Sequence, residues 1–217
     1  MCGRFSFALT DKIIEEHFDV DIEDYDFIPN YNCAPSQNLA VITNESHRRF
    51  SYFKWGMVPF WAKVSSVGNK MINAKAETIF EKPAFRNAIK SRRCLIPADS
   101  FYEWKKGKEK IPYRIMMKDE SPFSMAGIWE TWNDAEGKPL FTFSVITTEA
   151  NSFIKDIHLR MPVILSATDE KKWLTTSCSD KIISMMKPYP SELMIAYPIS
   201  KLVNSPVNNS AEIHKGV

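Results

Sequence analysis

Cys2 is the residue of this chain with the most chemistry open to it. A small second residue permits removal of the initiator methionine, and a cysteine left at the front of a chain is a 1,2-aminothiol. Its α-amine, with an ordinary pKa of about 7.7 to 8.0, is neutral in roughly a tenth or more of molecules at pH 7, whereas a lysine amine near 10.4 is almost wholly protonated. The thiol beside it is a second nucleophile with an ordinary pKa near 8.5. Two reactions follow. The thiol can attack an acyl group with the amine as base, or the amine can condense with an aldehyde and the thiol close onto the imine as a five-membered thiazolidine. The alternative is that Cys2 is merely the second residue of the chain, and position 2 alone does not decide between the two.

A second set of residues supplies what carbonyl condensation needs. Asn73 lies in Ile72-Asn73-Ala74-Lys75-Ala76-Glu77-Thr78, Glu103 in Phe101-Tyr102-Glu103-Trp104, and His158 in His158-Leu159-Arg160-Met161-Pro162. Imine formation requires a proton donor to expel water, an acceptor to free the amine, and a fixed polar group to orient the carbonyl oxygen. Aromatic neighbours that desolvate Glu103 would raise its pKa toward a usable range. The competing readings are a turn-forming asparagine, an exposed charge on an alternating strand, and a structural histidine. The other cysteines, Cys33, Cys94 and Cys178, have no C-x-x-C spacing and read as small buried hydrophobes. With no H-x-x-x-H either, neither a metal nor another cofactor is expected.

The elements that must position these residues are short. Thr10 can cap a helix in which Ile13, Ile14, His17 and Phe18 fall at helical spacing. Strand-like runs follow at Leu39 to Thr43, Phe50 to Lys54, Cys94 to Pro97, Tyr113 to Met117 and Phe123 to Trp129. Asp134-Ala135-Glu136-Gly137 reads as a hairpin connection into an alternating run from Leu140 to Thr147. Helices are predicted at Ala84 to Ser91, Glu149 to Asp156, Asp169 to Thr175 and Asp180 to Met186, with a further strand at Leu193 to Tyr197. Many short strands, scattered short helices and no βαβ rhythm predict an α+β fold, a single domain around a curved, barrel-like antiparallel β-sheet with short peripheral helices. The expected domain covers residues 2–203, and the polar tail, residues 204–217, is expected to fray. His47 and His214 read as solvent-facing.

The chain has 217 residues, 44% of them hydrophobic and 25% charged, which excludes a disordered or fibrous chain and a small disulfide scaffold. A net charge of +2 neither demands nor forbids a nucleic-acid partner, so any electrostatic footprint must be local. Basic positions Arg4, Lys75, Arg86, Arg92, Arg93, Lys105, Lys106, Lys108 and Lys110 are interspersed with Trp55, Trp61, Phe85 and Trp104. Single-stranded nucleic-acid binders combine charge and stacking faces in this way. The alternative is core aromatics and solvated lysines. No run is apolar enough for a membrane span and no leader pattern is present, so a reducing cytoplasm is the expected compartment, beside the nucleoid if the source is bacterial.

Several blocks, in order, resemble the SOS response-associated peptidase (SRAP) family. They are Met1-Cys2-Gly3-Arg4-Phe5, Tyr31-Asn32-Cys33-Ala34-Pro35-Ser36-Gln37, Trp55-Gly56-Met57-Val58-Pro59-Phe60-Trp61 and the run from Asn73 to Thr78. Ile96-Pro97-Ala98-Asp99-Ser100-Phe101-Tyr102-Glu103-Trp104, Ala126-Gly127-Ile128-Trp129-Glu130 and His158-Leu159-Arg160-Met161-Pro162-Val163-Ile164-Leu165 continue it. The resemblance implies a barrel-like α+β domain that binds single-stranded DNA and joins Cys2 to the opened sugar of an abasic site as a thiazolidine crosslink; a monomer is expected. It implies Cys2 as nucleophile, Asn73 as the group holding the cysteine or sugar, Glu103 as acid/base, and His158 as the helper for ring opening and reversal. Arg4, Trp55, Trp61, Lys75, Phe85, Arg86, Trp104 and Arg160 are the expected DNA contacts. The sequence departs from the family at Lys75, often arginine, and at Ser100, often glycine; at the first the charge is kept and the planar fork lost. Two other readings stay open: an N-terminal-nucleophile amidohydrolase or glutaminase, and a noncatalytic reader of modified bases.

Overall fold

In the computed structural model, which describes residues 2–21, 27–46 and 48–217, the strands sort into two sheets. In chain order the elements are β1 (Phe5–Phe7), α1 (Asp11–Phe18), β2 (Asn30–Cys33), β3 (Asn38–Thr43), β4 (Ser51–Trp55), β5 (Asn73–Lys75), α2 (Ala88–Ser91), β6 (Arg93–Ala98) and β7 (Ser100–Lys105). They continue with β8 (Ile111–Met117), β9 (Phe123–Asn133), β10 (Pro139–Glu149), β11 (Arg160–Pro162), β12 (Ile164–Leu165), α3 (Ala167–Thr175), α4 (Ser179–Met185) and β13 (Met194–Pro198). His47, expected at the surface, lies outside the described residues.

Strands β10, β4, β3, β6 and β9 pair in that order, and β9 pairs back onto β10, so five strands close into a barrel. Closure leaves no open edge along that ring. A second sheet, ordered β13-β8-β7-β1-β2, is antiparallel throughout. The barrel departs from the antiparallel expectation at two places, since β4 and β5 both run parallel to β10. That geometry follows from the connection between β4 and β5, which is long enough to cross over and carries a 3-10 turn at Ser65–Lys70. Trp55 stacks on Phe143, with centroids 6.1 Å apart, and meets Phe5 at 5.3 Å, so one aromatic stack joins both sheets in one core. Gly127 makes close packing of β6 on β9 possible: a Cβ there would meet Cys94 Sγ and Ile96 Cδ1 at 2.7 Å.

Two of the expected helices and one of the expected buried cysteines also differ in the structure. The helix predicted over Ala84 to Ser91 shrinks to α2, and that over Glu149 to Asp156 becomes the end of β10 and a 3-10 turn at Ile154–Asp156. Asn151 explains the second change, because its Oδ1 accepts the Ile154 N–H at 2.8 Å and its Nδ2 donates to Tyr189 O at 2.7 Å, fixing a turn where a helix would begin. Cys178 is exposed, unlike buried Cys33 and Cys94, because it precedes α4 at the surface.

The tail does not fray. Ile213 is fully buried with Tyr102, Ile199 and Val203, and Tyr197 Oη donates to His214 O at 3.0 Å. His214 is not solvent-facing: its Nε2 lies 3.0 Å from Ser6 Oγ, and burial pushes its pKa down to about 4, with Arg114 adding to the shift. A polar composition hid one apolar anchor. Ile213→Ala should therefore lower stability by about 2 to 5 kcal/mol, read from the urea midpoint, whereas a frayed tail would leave it unchanged.

Candidate functional site

The chain preceding β1 is laid along β7. Phe5 pairs with Phe101 and Ser6 with Ser100, and the Tyr102 N–H donates to Arg4 O at 3.0 Å, which extends the antiparallel ladder toward the start of the chain. This register brings Cys2 beside Glu103. Cys2 is fully buried, with Sγ 3.9 Å from Arg4 O, and burial followed by the Glu103 charge pushes its thiol far above the ordinary range. Asn73 reaches the same place from the other sheet, because β5 is held parallel to β10 with Asn73 opposite Val145. Its Nδ2 donates to Cys2 O at 2.8 Å, and its Oδ1 is buried with no hydrogen-bond partner among the described residues.

Glu103 is 3% exposed on β7, and burial raises its carboxyl from the usual range to about 7. A group with that pKa is divided between acid and base forms at neutral pH, the condition for proton transfer in both directions. His158 follows the turn at Ile154–Asp156, where its N–H donates to Ile154 O at 2.9 Å. Its Nδ1 stands 3.8 Å from Glu103 Oε1, 3.1 Å from Arg160 N and 3.2 Å from Arg160 O. The backbone of Arg160 can thus donate to a bare Nδ1 or accept from a protonated one, and it holds the ring in either state. Burial depresses the His158 pKa, so the ring is mainly neutral at pH 7. Glu103 and His158 line a groove of about 410 Å³ with Trp104, Lys106, Lys110 and Asn204. Cys2 does not line it and lies against Glu103.

The expected DNA contacts divide. Trp55 is fully buried, its Nε1 donating to Ile72 O at 2.9 Å and its faces taken by Phe5 and Phe143, so it has no face for a base. Phe85 packs against the core. Arg4 is committed internally: its guanidinium donates to Asn32 Oδ1 at 2.7 Å and to the carbonyls of Val203 and Asn204. Arg160 forms a two-pronged pair with Glu77 at 2.6 and 3.0 Å and also donates to Thr147 O. Lys75 and Arg86 are exposed, and Trp61 is 55% exposed in a loop whose base is pinched by Gly56 against Gly68. Gly56 has a φ of 127°, and a Cβ there would sit 2.7 Å from Gly68 O, so both the turn and the close approach require glycine. Two further basic positions serve the fold. Arg92 pairs with Glu130 at 2.7 Å, and buried Arg93 donates to the carbonyls of Ile89, Lys90, Trp173 and Thr176.

The family model described as "SOS response associated peptidase (SRAP)" matches residues 1–206. The chain belongs to that family. It is 51% identical to the abasic site processing protein YoaM of Bacillus subtilis, over 98% of this chain and 97% of that one. It is 29% identical to the abasic site processing protein HMCES of Gallus gallus, over 85% of this chain and 65% of that one. A crystal structure of a protein from Bacteroides thetaiotaomicron superposes with a TM-score of 0.89 at 35% identity, covering all of both chains.

Membership of the SRAP family does not by itself disclose Asn32. This buried residue accepts from Arg4, and its Nδ2 donates to the carbonyls of Val203, Ser205 and Asn208 at 3.4, 3.0 and 2.8 Å. Asn32 and Arg4 together staple the segment that walls one side of the groove. Its signal was an amide inside the Tyr31-Asn32-Cys33 block, with no pattern to reveal a partner so far away in sequence. Ser100, the second departure from the family, lies outside the positive-φ residues and instead donates to Asp99 Oδ1 at 2.7 Å. Among the described residues no group of three or more metal-ligating side chains occurs, and no helix is long and apolar enough to cross a membrane. The geometry predicts that the His158 ring titrates below 6.5, the ordinary histidine value. Ring-proton NMR across the acid range measures this; a midpoint above 6.5 would contradict the burial argument.

Proposed function

We propose that this protein processes abasic sites in single-stranded DNA by capturing the opened sugar on Cys2. Removal of Met1, by a general aminopeptidase or by the chain itself, frees the Cys2 amine. The neutral amine attacks the C1′ aldehyde, and the protonated Glu103 carboxyl supplies the proton with which the carbinolamine oxygen leaves as water. The cysteine sulfur then adds to the iminium carbon, the thiol proton is given up to Glu103, and the neutral ring nitrogen results. An aldehyde and a 1,2-aminothiol become a thiazolidine and one water.

The observation that carries this reading is the convergence of Cys2, Asn73, Glu103 and His158, from four separated blocks, beside one groove. Asn73 steadies the Cys2 carbonyl and has a second polar atom left for the sugar. His158, neutral and oriented, is placed to move a proton when the sugar ring opens or the crosslink reverses. The state of the thiol favours aldehyde capture over an amidohydrolase. A buried, protonated thiol is a poor acyl nucleophile, whereas closure onto an adjacent iminium is intramolecular and draws on a large effective concentration. The family name's peptidase activity corresponds in this reading to release of Met1.

Intact mass after incubation with an abasic oligonucleotide tests the proposal. Cys2→Ala should abolish a heat-stable adduct, and Cys2→Ser should give only a reducible imine; a stable adduct on the alanine variant would sink the assignment. Glu103→Gln should slow capture by roughly 10²- to 10⁴-fold. In the parent protein the acid form of Glu103 is depleted as pH rises through about 7 while the neutral amine grows, so the rate should pass through a maximum near neutrality. The glutamine variant should lose the alkaline decline, as a stopped-time pH series would show.

A further inference from the structure

The connection between β7 and β8 is short and basic. Lys105 pairs with Ile111, leaving Lys106-Gly107-Lys108-Glu109-Lys110 as an exposed tip. Two clips hold this hairpin to the 3-10 turn at Lys201–Asn204: Lys201 Nζ meets Glu109 Oε2 at 2.7 Å, and Trp104 Nε1 donates to Asn204 Oδ1 at 2.8 Å. The first clip takes up the one acidic charge of the tip. Among the described residues Lys106 and Lys110 form no ion pair, and both line the groove that holds Glu103 and His158. Lys105 faces a different cavity, with Asp156 and Glu192.

We propose that Lys106 and Lys110 form a phosphate-binding wall, which holds the backbone of a single-stranded polynucleotide beside the reacting sugar, with half-buried Trp104 as a stacking face at its foot. The inference rests on the reading above and adds the part of the site that grips the strand. Arg4, Arg92 and Arg93 are consumed by the fold, so the affinity for a polyanion must come from elsewhere. Ammonium groups on flexible stems suit this task, because they follow a run of phosphates without imposing the fixed fork of a guanidinium. Their place at the rim of an open groove suits a continuous backbone better than one small anion, which would need donors converging on a point. Binding would also reach the chemistry. The Lys106 charge helps to depress His158, and a phosphate that neutralises it makes the ring easier to protonate once DNA is bound.

The test is fluorescence anisotropy with a dye-labelled, lesion-free single-stranded oligonucleotide over a salt series. Each phosphate contact on a single strand contributes about 0.7 to the slope of log affinity against log salt, so K106Q/K110Q should reduce that slope by about 1.4. K106R/K110R should restore it. K181Q, on α4 and lining a separate cavity, is the control and should leave it unchanged. A double glutamine variant that melts like the parent and keeps the parental slope overturns the wall, as does failure of the arginine pair to restore it. The two readings fail separately. An adduct with an unaffected slope removes only the wall, whereas a reduced slope without any adduct from the parent protein removes the abasic-site reading and leaves the wall standing.

Discussion

Everything at the site depends on one short backbone ladder, in which the residues after Cys2 lie antiparallel against β7. Three contacts define it: Phe5 opposite Phe101, Ser6 opposite Ser100, and the Tyr102 N–H on Arg4 O. Chain termini ordinarily fray, because few contacts offset the entropy of ordering them. Here Cys2 and Phe5 are buried, and Asn73 holds the Cys2 carbonyl from the opposite sheet. A slip of one residue would turn every side chain to the other face and take Cys2 away from Glu103. The barrel is the scaffold for β10, which carries Asn73 through β5 on one side and leads into the His158 turn on the other.

Burial is the second constraint, and it acts on all of the titratable groups at once. Removing a carboxylate from water raises its pKa, and removing an imidazolium lowers its pKa, so Glu103 and His158 move toward each other from opposite sides. The outcome is a site poor in fixed charge, with Glu103 divided between its two forms. In the proposed reaction a charged lesion backbone is therefore held at the rim. Two arginines do other work: Arg93 closes carbonyls at the ends of α2 and α3, and Arg4 ties down the segment that starts at Val203.

How much of this was legible in the sequence follows from the range of each signal. Most of the expected strand runs lie within a residue or two of the observed ones, since alternation along β10 is local and the Asp134 to Gly137 turn has its own chemistry, but β9 runs on past Trp129 to Asn133, and the short strands β1, β2, β5, β11 and β12 carry too few residues for a local pattern. Barrel closure was hinted at only by the number of short strands, and the parallel approach of β4 and β5 to β10 left no trace, because register between distant strands is not a local property. Glu103 could be singled out by its aromatic neighbours. Trp55 could not be told from a stacking residue: an aromatic before glycine reads alike whether its faces meet bases or, as here, Phe5 and Phe143. The tail misled for a related reason. Its composition is polar, yet Ile213 and a neutral His214 dock it, and Asn32 provides partners for its carbonyls.

The proposed reaction suits a site of this kind better than one built for hydrolysis. Acyl transfer from a thiol needs a thiolate and a fixed set of donors for an oxyanion, both of which call for a strongly polar surround. Condensation of an amine with an aldehyde needs neither. Its demands are a neutral amine, an acid near neutrality to carry off water, and little competing solvent once the iminium has formed. Burial meets the last two together, because the desolvation that lifts Glu103 also keeps bulk water from the carbon that the sulfur must reach. A protonated thiol is then no handicap: Glu103, having given its proton to the departing hydroxyl, is the base that accepts one from the sulfur. One buried carboxyl thus serves both halves of ring formation, and its position beside Cys2 is set by the ladder that begins the fold.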